Sequence, residues 1–250
     1  MRENFQKCLQ VTLAYEGGWA DNPKDPGGAT MKGITLATYQ RFLPGATKTQ
    51  LRNISAENVA KIYRQDYWQA VNADTLAAGV DLATFDGGVM SGPPRSKKWL
   101  LASLGGSDDQ TVKKICAKRL GFVQSLKIWK TFGKGWARRI AAIEAKGVAW
   151  ALAATQPAAT VKAKLLEEEK GAKGRAGNNA VAATGVSTAT GAGGSDAVVN
   201  PQHVDMISGW ALAGVAVLAV GVIVLLVVRA KIHNQRAAAY AAEAEAIGAA

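Results

Sequence analysis

Apolar residues recur at helical spacing at the start of the chain. At roughly 100° per residue, one helical stripe is formed by Phe5, Cys8, Leu9, Thr12 and Leu13. Glu16 falls near the middle of that stripe, and Gly17 and Gly18 follow it. Glycine ends helices because it enters the left-handed conformation without strain. The pattern predicts an amphipathic helix whose last turn places the Glu16 carboxyl on the core side.

The rest of the first 150 residues predicts more helices and one short hairpin. Gly33 interrupts any helix at 30–35, where a hairpin is predicted, and Ser55 is a candidate N-cap. Helices are predicted at 36–43, 55–71 and 76–92, and in several segments from Pro93 to Val148. In the last helix Ile140, Ile143 and Gly147 are predicted to face inward, and Arg138, Arg139 and Lys146 outward.

The character of the chain changes after residue 152. A flexible linker is predicted at 153–205, because residues 171–205 are mainly Gly, Ala, Ser, Thr and Asn, with too few large apolar side chains to offset the entropy of ordering. Residues 161–170 could form a helix before that segment. Residues 207–228 contain no charged side chain and, as a helix, would be about 33 Å long, enough to cross a bilayer. We therefore predict a transmembrane helix within 206–229, followed by a short tail at 230–250.

The charge of the chain limits its partners and its chemistry. A net charge of +11 implies an anionic partner, which bacterial wall, nucleic acid or acidic membranes would all satisfy. No zinc finger, RNA-recognition signature or phosphate loop is visible, so no nucleic acid is expected. Both histidines, His203 and His233, lie outside the first 150 residues, which disfavours a zinc peptidase or a hydrolase with a histidine base. If the chain is a hydrolase, its catalytic groups are then expected to be carboxylates, with no metal or cofactor.

Cys8 and Cys116 fit no metal spacing and are predicted to be buried free thiols.

Three residues near the first helix form a candidate catalytic set. Asp25 and Thr30 follow Glu16 in a loop dense in proline and glycine, which is expected to fold back toward the helix end. Partial burial would raise the pKa of Glu16 and keep it protonated, as a general acid requires. A protonated Glu opposite an ionised Asp, with a hydroxyl to orient water, can hydrolyse a glycosidic bond. A structural Glu16 that caps backbone or pairs with Lys or Arg is the alternative.

Several motifs carry a family resemblance. The segments Glu16-Gly17-Gly18-Trp19, Asp25-Pro26-Gly27-Gly28-Ala29-Thr30 and Gly33-Ile34-Thr35 resemble the opening of glycoside hydrolase family 108, muramidases of the lysozyme superfamily. The later segments Ile62-Tyr63-Arg64, Tyr67-Trp68, Phe85-Asp86, Ser91-Gly92-Pro93 and Gly133-Lys134-Gly135-Trp136-Ala137-Arg138-Arg139 resemble later parts of the same family. One departure is Met90, where the family usually has Asn.

The resemblance implies a fold and an activity. It implies a lysozyme-like α+β catalytic domain at 1–92, completed by a helical, peptidoglycan-binding-like part at 93–152. The activity would be that of an endolysin-like N-acetylmuramidase, a lysozyme-type glycoside hydrolase that cleaves the β-1,4 bond between N-acetylmuramic acid and N-acetylglucosamine in peptidoglycan. Glu16, Asp25 and Thr30 would be catalytic. Trp19, Thr35, Tyr67 and Trp68 would bind glycan, although core packing is the alternative for the aromatic residues.

Other functions stay open at this stage. A lytic transglycosylase would use Glu16 alone, and a non-catalytic wall-binding or virion membrane protein would leave the glycan intact. A holin-like membrane protein that merely carries this domain would permeabilise cells without needing Glu16. The basic residues Arg95, Lys97, Lys98, Lys113, Lys114, Lys118 and Arg119 could bind wall polymer or could be solvated.

Residues 1–20 contain no signal peptide. Arg229, Lys231 and Arg236 follow the span, so the positive-inside rule places the tail in the cytoplasm and the catalytic domain across the membrane, facing the wall. The membrane would be an inner or a virion membrane, in a phage, prophage or cellular setting.

Overall fold

The computed structural model describes residues 2–22, 27–192 and 206–248. Within these ranges the chain forms one two-stranded hairpin and ten α-helices, which confirms the predicted mainly helical fold with a minimal hairpin. The elements are α1 (Phe5–Leu13), β1 (Thr30–Met31), β2 (Ile34–Thr35), α2 (Leu36–Phe42), α3 (Lys48–Arg52), α4 (Ala56–Tyr63), α5 (Val80–Ser91), α6 (Pro93–Leu101), α7 (Asp108–Gln124), α8 (Trp129–Ala153), α9 (Ala158–Ala192) and α10 (Met206–Gly248). They divide into two compact units, Met1–Val161 and Lys162–Ala250.

The apolar stripe of α1 lies in the core of the first unit. Its buried residues are Phe5, Cys8, Leu9 and Thr12. The Phe5 ring meets the Trp68 ring edge to face, with centroids 5.4 Å apart, and such aromatic pairs add to the stability gained from burial. Cys8 and Cys116 are both buried thiols that form no disulfide, as predicted. This packing fixes the direction of α1 and therefore the place where its last residues emerge.

Glu16 lies just beyond α1 rather than inside its last turn. The helix ends at Leu13, and two tighter turns continue it, in which the Tyr15 N–H donates to the Thr12 carbonyl and the Glu16 N–H donates to the Leu13 carbonyl. These three-residue bonds keep the backbone coiling after the helix ends. Glu16 therefore stays on the core side, although the predicted helix end was wrong by three residues.

The predicted hairpin is present and has a two-residue turn. Thr30 pairs with Thr35 and Met31 pairs with Ile34. Lys32 and Gly33 form the turn, with φ of 50° and 73°, and two-residue hairpin turns of this kind need positive φ at both positions. The turn brings Gly33 against the Glu16 side chain, as described below.

The predicted 55–71 helix is present, but its winding changes along its length. Ser55 caps α4 by accepting a hydrogen bond from the Asn58 N–H at 3.1 Å, as predicted. The chain then loosens into a π-helical turn over Arg64–Trp68 and ends in a 3₁₀ turn over Gln69–Val71. Such π turns rotate the following side chains relative to a regular helix. Trp68 is consequently directed into the core.

Helix α5 is the centre of the first unit. Its residues 80–88 are all buried, and α1, α6, α7 and α8 pack around it. The helix begins where Gly79, with φ of 84°, lies directly against the backbone of Gly147 in α8. A helix surrounded on all sides by other helices is expected to be apolar all round, and its two buried carboxyls, Asp81 and Asp86, therefore require partners.

The second unit corrects the predicted linker. Residues 158–192, predicted to be flexible, form α9, while 193–205 lie outside the described residues. Buried residues recur on α9 at Leu165, Ala172, Ala176 and Ala183, and on α10 at Ala230, Ala237, Tyr240 and Ala244. Spacings of three, four and seven residues are those of a helix pair with a continuous seam. Composition alone missed this helix because its seam is built mostly from alanine, which packs closely but contributes little hydropathy.

Helix α10 extends through the predicted span and the predicted tail without a break. Its described portion Leu218–Gly248 is long and apolar enough to cross a membrane by length and composition. Large apolar side chains on it face outward, among them Leu218, which is 71% exposed. The tail residues 230–248 belong to the same helix and pack in the second unit.

The contact between Gly79 and Gly147 gives a stability prediction. In Gly79→Ala the new Cβ would lie 2.0 Å from the Gly147 carbonyl oxygen at a positive φ, so we expect the free energy of unfolding to fall by more than about 2 kcal/mol. Gly121→Ala is the control, because it lies inside α7 with open space around it and should be neutral or stabilising by up to about 1 kcal/mol. Denaturant titration of the full chain in mild detergent measures both; equal values would contradict the packing.

Candidate active site

The Glu16 carboxyl is partly buried and held by an ion pair. Its side chain is 16% exposed, and its Oε1 accepts a hydrogen bond from Arg139 Nη1 at 2.9 Å. Glu16 reaches this position from the turns after α1, whereas Arg139 comes from α8, which is distant in sequence. An ion pair between such elements fixes the carboxyl in one orientation. The structural pairing considered as an alternative for Glu16 is thus present, at a carboxyl that still reaches solvent.

Arg139 corrects a prediction from the sequence. It was expected on the outer face of α8, but its side chain is largely buried. Its guanidinium forks between two carboxyls: Nη1 binds Glu16, while Nε and Nη2 donate to Asp86 Oδ1 at 3.1 Å and 2.7 Å. Burial alone would lower the pKa of Arg139, but Asp86 and Glu16 raise it overall. Helical periodicity predicts that an arginine is exposed, because it does not show that a buried carboxylate such as Asp86 lies within reach of the side chain.

Asp86 is the fully buried partner that holds Arg139. It also forms an ion pair with Arg119 of α7, which is fully buried as well. Burial would raise the pKa of the Asp86 carboxyl, but Arg119 and Arg139 outweigh it and lower that pKa. Glu16, Arg139, Asp86 and Arg119 thus form a continuous row of alternating charge, here called the buried charge chain. Arg119 therefore does not belong to the basic surface predicted to bind wall polymer.

Met90 ends the buried charge chain. Arg119 Nη2 donates to the Met90 sulfur at 3.1 Å. A thioether sulfur is a weak acceptor, and an Asn at this position, as in the family pattern, would offer an amide oxygen. Position 90 therefore acts on Arg119 in this chain, so that the departure from the family alters the internal end of the charge chain.

The hairpin turn closes over the other side of Glu16. A Cβ on Gly33 would lie 2.7 Å from Glu16 Oε2 and 2.9 Å from the Tyr63 hydroxyl oxygen, so only glycine fits there. Tyr63 is buried and donates its hydroxyl to the Lys32 carbonyl at 2.7 Å, which ties the turn to α4. Burial raises the pKa of Tyr63, and the neighbouring Glu16 raises it further. The two Glu16 oxygens hence differ: Oε1 faces Arg139, and Oε2 faces the hairpin.

Of the other predicted site residues, Thr30 and Thr35 lie on the two strands of the hairpin. Asp25 lies outside the described residues. Thr30 is on β1, and its backbone forms two hydrogen bonds with Ala20, of 2.8 Å and 3.0 Å, so the loop that contains Asp25 leaves and returns at adjacent points. Thr35 caps α2 by accepting a hydrogen bond from the Thr38 N–H at 3.1 Å.

The predicted glycan-binding aromatic residues fall into two groups. Trp19 is partly exposed, with the Arg52 guanidinium 5.8 Å from its ring centroid, and Tyr67 is half-buried beside the Tyr63 ring at 5.3 Å. Trp68 is fully buried, and its indole N–H donates to Asp74 at 2.8 Å. The prediction that Trp68 stacks on sugar is therefore wrong, because the π turn before it directs the ring into the core.

A partly buried glutamate at the end of the first helix, beside a small hairpin in a helical unit, is the arrangement of a lysozyme-like glycoside hydrolase. Comparison with known proteins agrees. The family described as Glycosyl hydrolase 108 matches residues 9–92. The solved structure of SagA from Brucella abortus is similar, with 33% sequence identity and a TM-score of 0.53 over 60% of this chain and 97% of the SagA chain. No curated protein matches the sequence. The chain belongs to the glycosyl hydrolase 108 family.

The buried charge chain predicts a large effect of neutralising Asp86. In Asp86→Asn two buried arginines lose their shared counter-charge, so we expect the free energy of unfolding to fall by about 3–5 kcal/mol. Asp66→Asn removes an ion pair with the exposed Arg41 and should cost less than about 1 kcal/mol. Denaturant titration of both variants of the full chain measures the contrast, and similar small losses would show that the charge chain contributes little.

The same variant should change the pH dependence of stability. The pKa of Asp86 is lower in the folded state, so its contribution is complete above the unfolded value of about 3.9 and is lost as the pH falls toward the folded value. The stability difference between the native chain and Asp86→Asn should therefore shrink below about pH 4. A difference that stays constant there would contradict the assignment.

Proposed function

We propose that this glycoside hydrolase cleaves the β-1,4 bond between N-acetylmuramic acid and N-acetylglucosamine in peptidoglycan. The observation that carries the proposal is the Glu16 carboxyl, which is fixed by Arg139 and still partly exposed. A general acid must be held within hydrogen-bond reach of the leaving oxygen, and a rigid carboxyl at the edge of a fold meets that need. The family resemblance supplies the substrate.

Glu16 has the chemistry of the acid in this reaction. Arg139 occupies Oε1, so the proton that is delivered to the glycosidic oxygen is best placed on Oε2, on the hairpin side. Loss of that proton leaves a carboxylate that Arg139 stabilises in the product state. Asp25 would stabilise the oxocarbenium-like transition state or activate water, and Thr30 would orient that water. These two roles rest on the motif.

The surface of the helical part is suited to an anionic wall. Lys97, Lys98, Lys114 and Lys118 are exposed on α6 and α7. Exposed cations of this kind attract polyanions such as wall polymers over a range of about 10 Å. We assign glycan contact to Trp19 and Tyr67, which are the predicted aromatic residues with exposed surface.

We further propose that α10 anchors the enzyme in a membrane. The helix is long enough to cross a bilayer and its large apolar side chains face outward, where lipid would cover them. The enzyme would act as an endolysin-like protein, in wall lysis or in local wall opening.

Replacement of the acid gives the direct test. Glu16→Gln keeps the shape of the side chain but cannot deliver a proton, so the rate of clearing of purified sacculi should fall by about 10²- to 10⁴-fold with wall binding retained. Glu57→Gln is the control, because Glu57 is exposed on α4 and should leave the rate unchanged. Turbidity measures the rate for the full chain in detergent.

Product analysis separates the possible reactions. Mass spectrometry of the digest should show reducing N-acetylmuramic acid ends. Products with 1,6-anhydro ends would instead identify a lytic transglycosylase, and binding of sacculi without any cleavage would identify a non-catalytic wall protein. Clearing that is unchanged in Glu16→Gln would refute the assignment of the acid.

Gly33 allows a test of the geometry without removing the acid. The Cβ of Gly33→Ala would overlap Glu16 Oε2 and the Tyr63 hydroxyl, so we expect at least about a tenfold loss in rate, since small displacements of catalytic groups are costly. Gly45→Ala introduces the same positive-φ strain, at 77°, where nothing lies within 4 Å. Equal activity of the two variants, measured by turbidity, would show that the hairpin does not position Glu16.

A further inference from the structure

The first half of α8 presents two stacked aromatic side chains at the surface. Phe132 is 52% exposed, which makes it the most exposed aromatic side chain that the structure describes, and Trp136 is half-buried. Their ring centroids are 5.6 Å apart, with an angle of 27° between the ring planes. Ile128, one turn before Phe132, is also 52% exposed. Contiguous apolar surface of this kind marks interaction sites, and the Phe132–Trp136 pair is here called the aromatic platform.

The aromatic platform lies on the same face of α8 as Arg139. At 3.6 residues per turn, Phe132, Trp136 and Arg139 fall within about 60° of one another around the helix axis. Arg139 Nη1 donates to Glu16 Oε1 at 2.9 Å, and the Arg139 guanidinium carbon lies 5.5 Å from the Tyr15 ring centroid. Helical side chains lean toward the N-terminus of their helix, so the Arg139 guanidinium and the carboxyl that it binds lie toward Trp136.

The surface between the aromatic platform and Arg139 is open. Gly135 is exposed one turn before Arg139, and a Cβ at this glycine would meet no atom within 4 Å. From the helical rise, Phe132 is about 10 Å and Trp136 about 5 Å before Arg139 along the axis of α8. A glycan that lies at Glu16 therefore needs only a few sugar residues to reach the platform.

The platform side of α8 suits a neutral ligand. Over residues 128–139, all of which are described, the other charged side chains are Lys130, Lys134 and Arg138, which are exposed. Each is turned from the platform by more than about 100° around the helix. Arg139 is the one charged side chain on the platform side, and it is paired. The negative face of an aromatic ring attracts weakly positive C–H groups, which line the faces of a neutral N-acetylhexosamine ring.

We infer that the aromatic platform is a sugar-binding subsite, in which Phe132 and Trp136 stack on an N-acetylhexosamine ring of the same glycan strand that reaches Glu16. The inference rests on the hydrolase activity proposed above and extends its substrate contacts beyond Trp19 and Tyr67. Helix α8 then has two roles: Arg139 holds the candidate acid, and the turns before it hold the strand on one side of the scissile bond.

Substitution of Phe132 tests the subsite in the full chain in detergent. Phe132→Ala should raise the apparent KM for purified sacculi about tenfold and change kcat less than about twofold, because a binding contact away from the reacting bond is lost. In the Glu16→Gln background, the dissociation constant from co-sedimentation with sacculi should rise by a similar factor. Leu101→Ala is the matched control, since Leu101 is 67% exposed on α6, and it should change neither quantity.

Two further variants separate a sugar from another apolar partner. Phe132→Tyr keeps a flat aromatic ring, so its apparent KM and its binding to sacculi should stay within about twofold of the native values. Phe132→Leu keeps apolar surface without the ring and should lose as much as Phe132→Ala. Native-like binding of sacculi by Phe132→Leu would overturn sugar stacking and identify the platform as an apolar contact for lipid or protein.

The subsite and the proposed hydrolase fail separately. Equal KM and equal binding of Phe132→Ala and Leu101→Ala would overturn the subsite and leave the Glu16 assignment intact. If the native chain clears no sacculi, the proposed hydrolase fails, and weaker co-sedimentation of Phe132→Ala and Phe132→Leu, but not of Phe132→Tyr, would still support the sugar contact.

Discussion

The ion pair between Arg139 and Asp86 is the interaction on which the site depends. Asp86 lies at zero exposure in the middle of the central helix, and a charge in that place is tolerated only because two arginines surround it. Arg139 has one edge of its guanidinium, Nε and Nη2, bonded to Asp86, and its Nη1 donates to Glu16. The core thus determines where the candidate acid is held.

The hairpin completes that constraint from the opposite side. Gly33 is in contact with Glu16 Oε2, and Tyr63 ties the turn to α4 through the Lys32 carbonyl. Three separate elements, α1, α8 and the hairpin, therefore converge on a single carboxyl. A site built from rigid elements keeps its geometry when substrate arrives, which reduces the cost of reaching the transition state.

The second unit follows a different physical rule. Its seam is made mostly of small residues, and large apolar side chains of α10 such as Leu218 and Val224 are exposed, whereas the first unit buries aromatic and aliphatic side chains inside. The contrast supports the membrane anchoring proposed for α10, in which lipid would surround part of the second unit.

Much of this protein is determined by local sequence, and the remainder by contacts between distant residues. The stripe of α1, the hairpin around Gly33, the Ser55 cap and the apolar run in α10 follow from short-range periodicity and turn chemistry, and all are present. The burial of Arg139, Arg119 and Trp68, and the helix α9 in the predicted linker, depend on partners more than 30 residues away or on a change in helix winding. Periodicity measures only how polar a position is, so it cannot show when a buried opposite charge or a matching alanine seam makes that position part of a core.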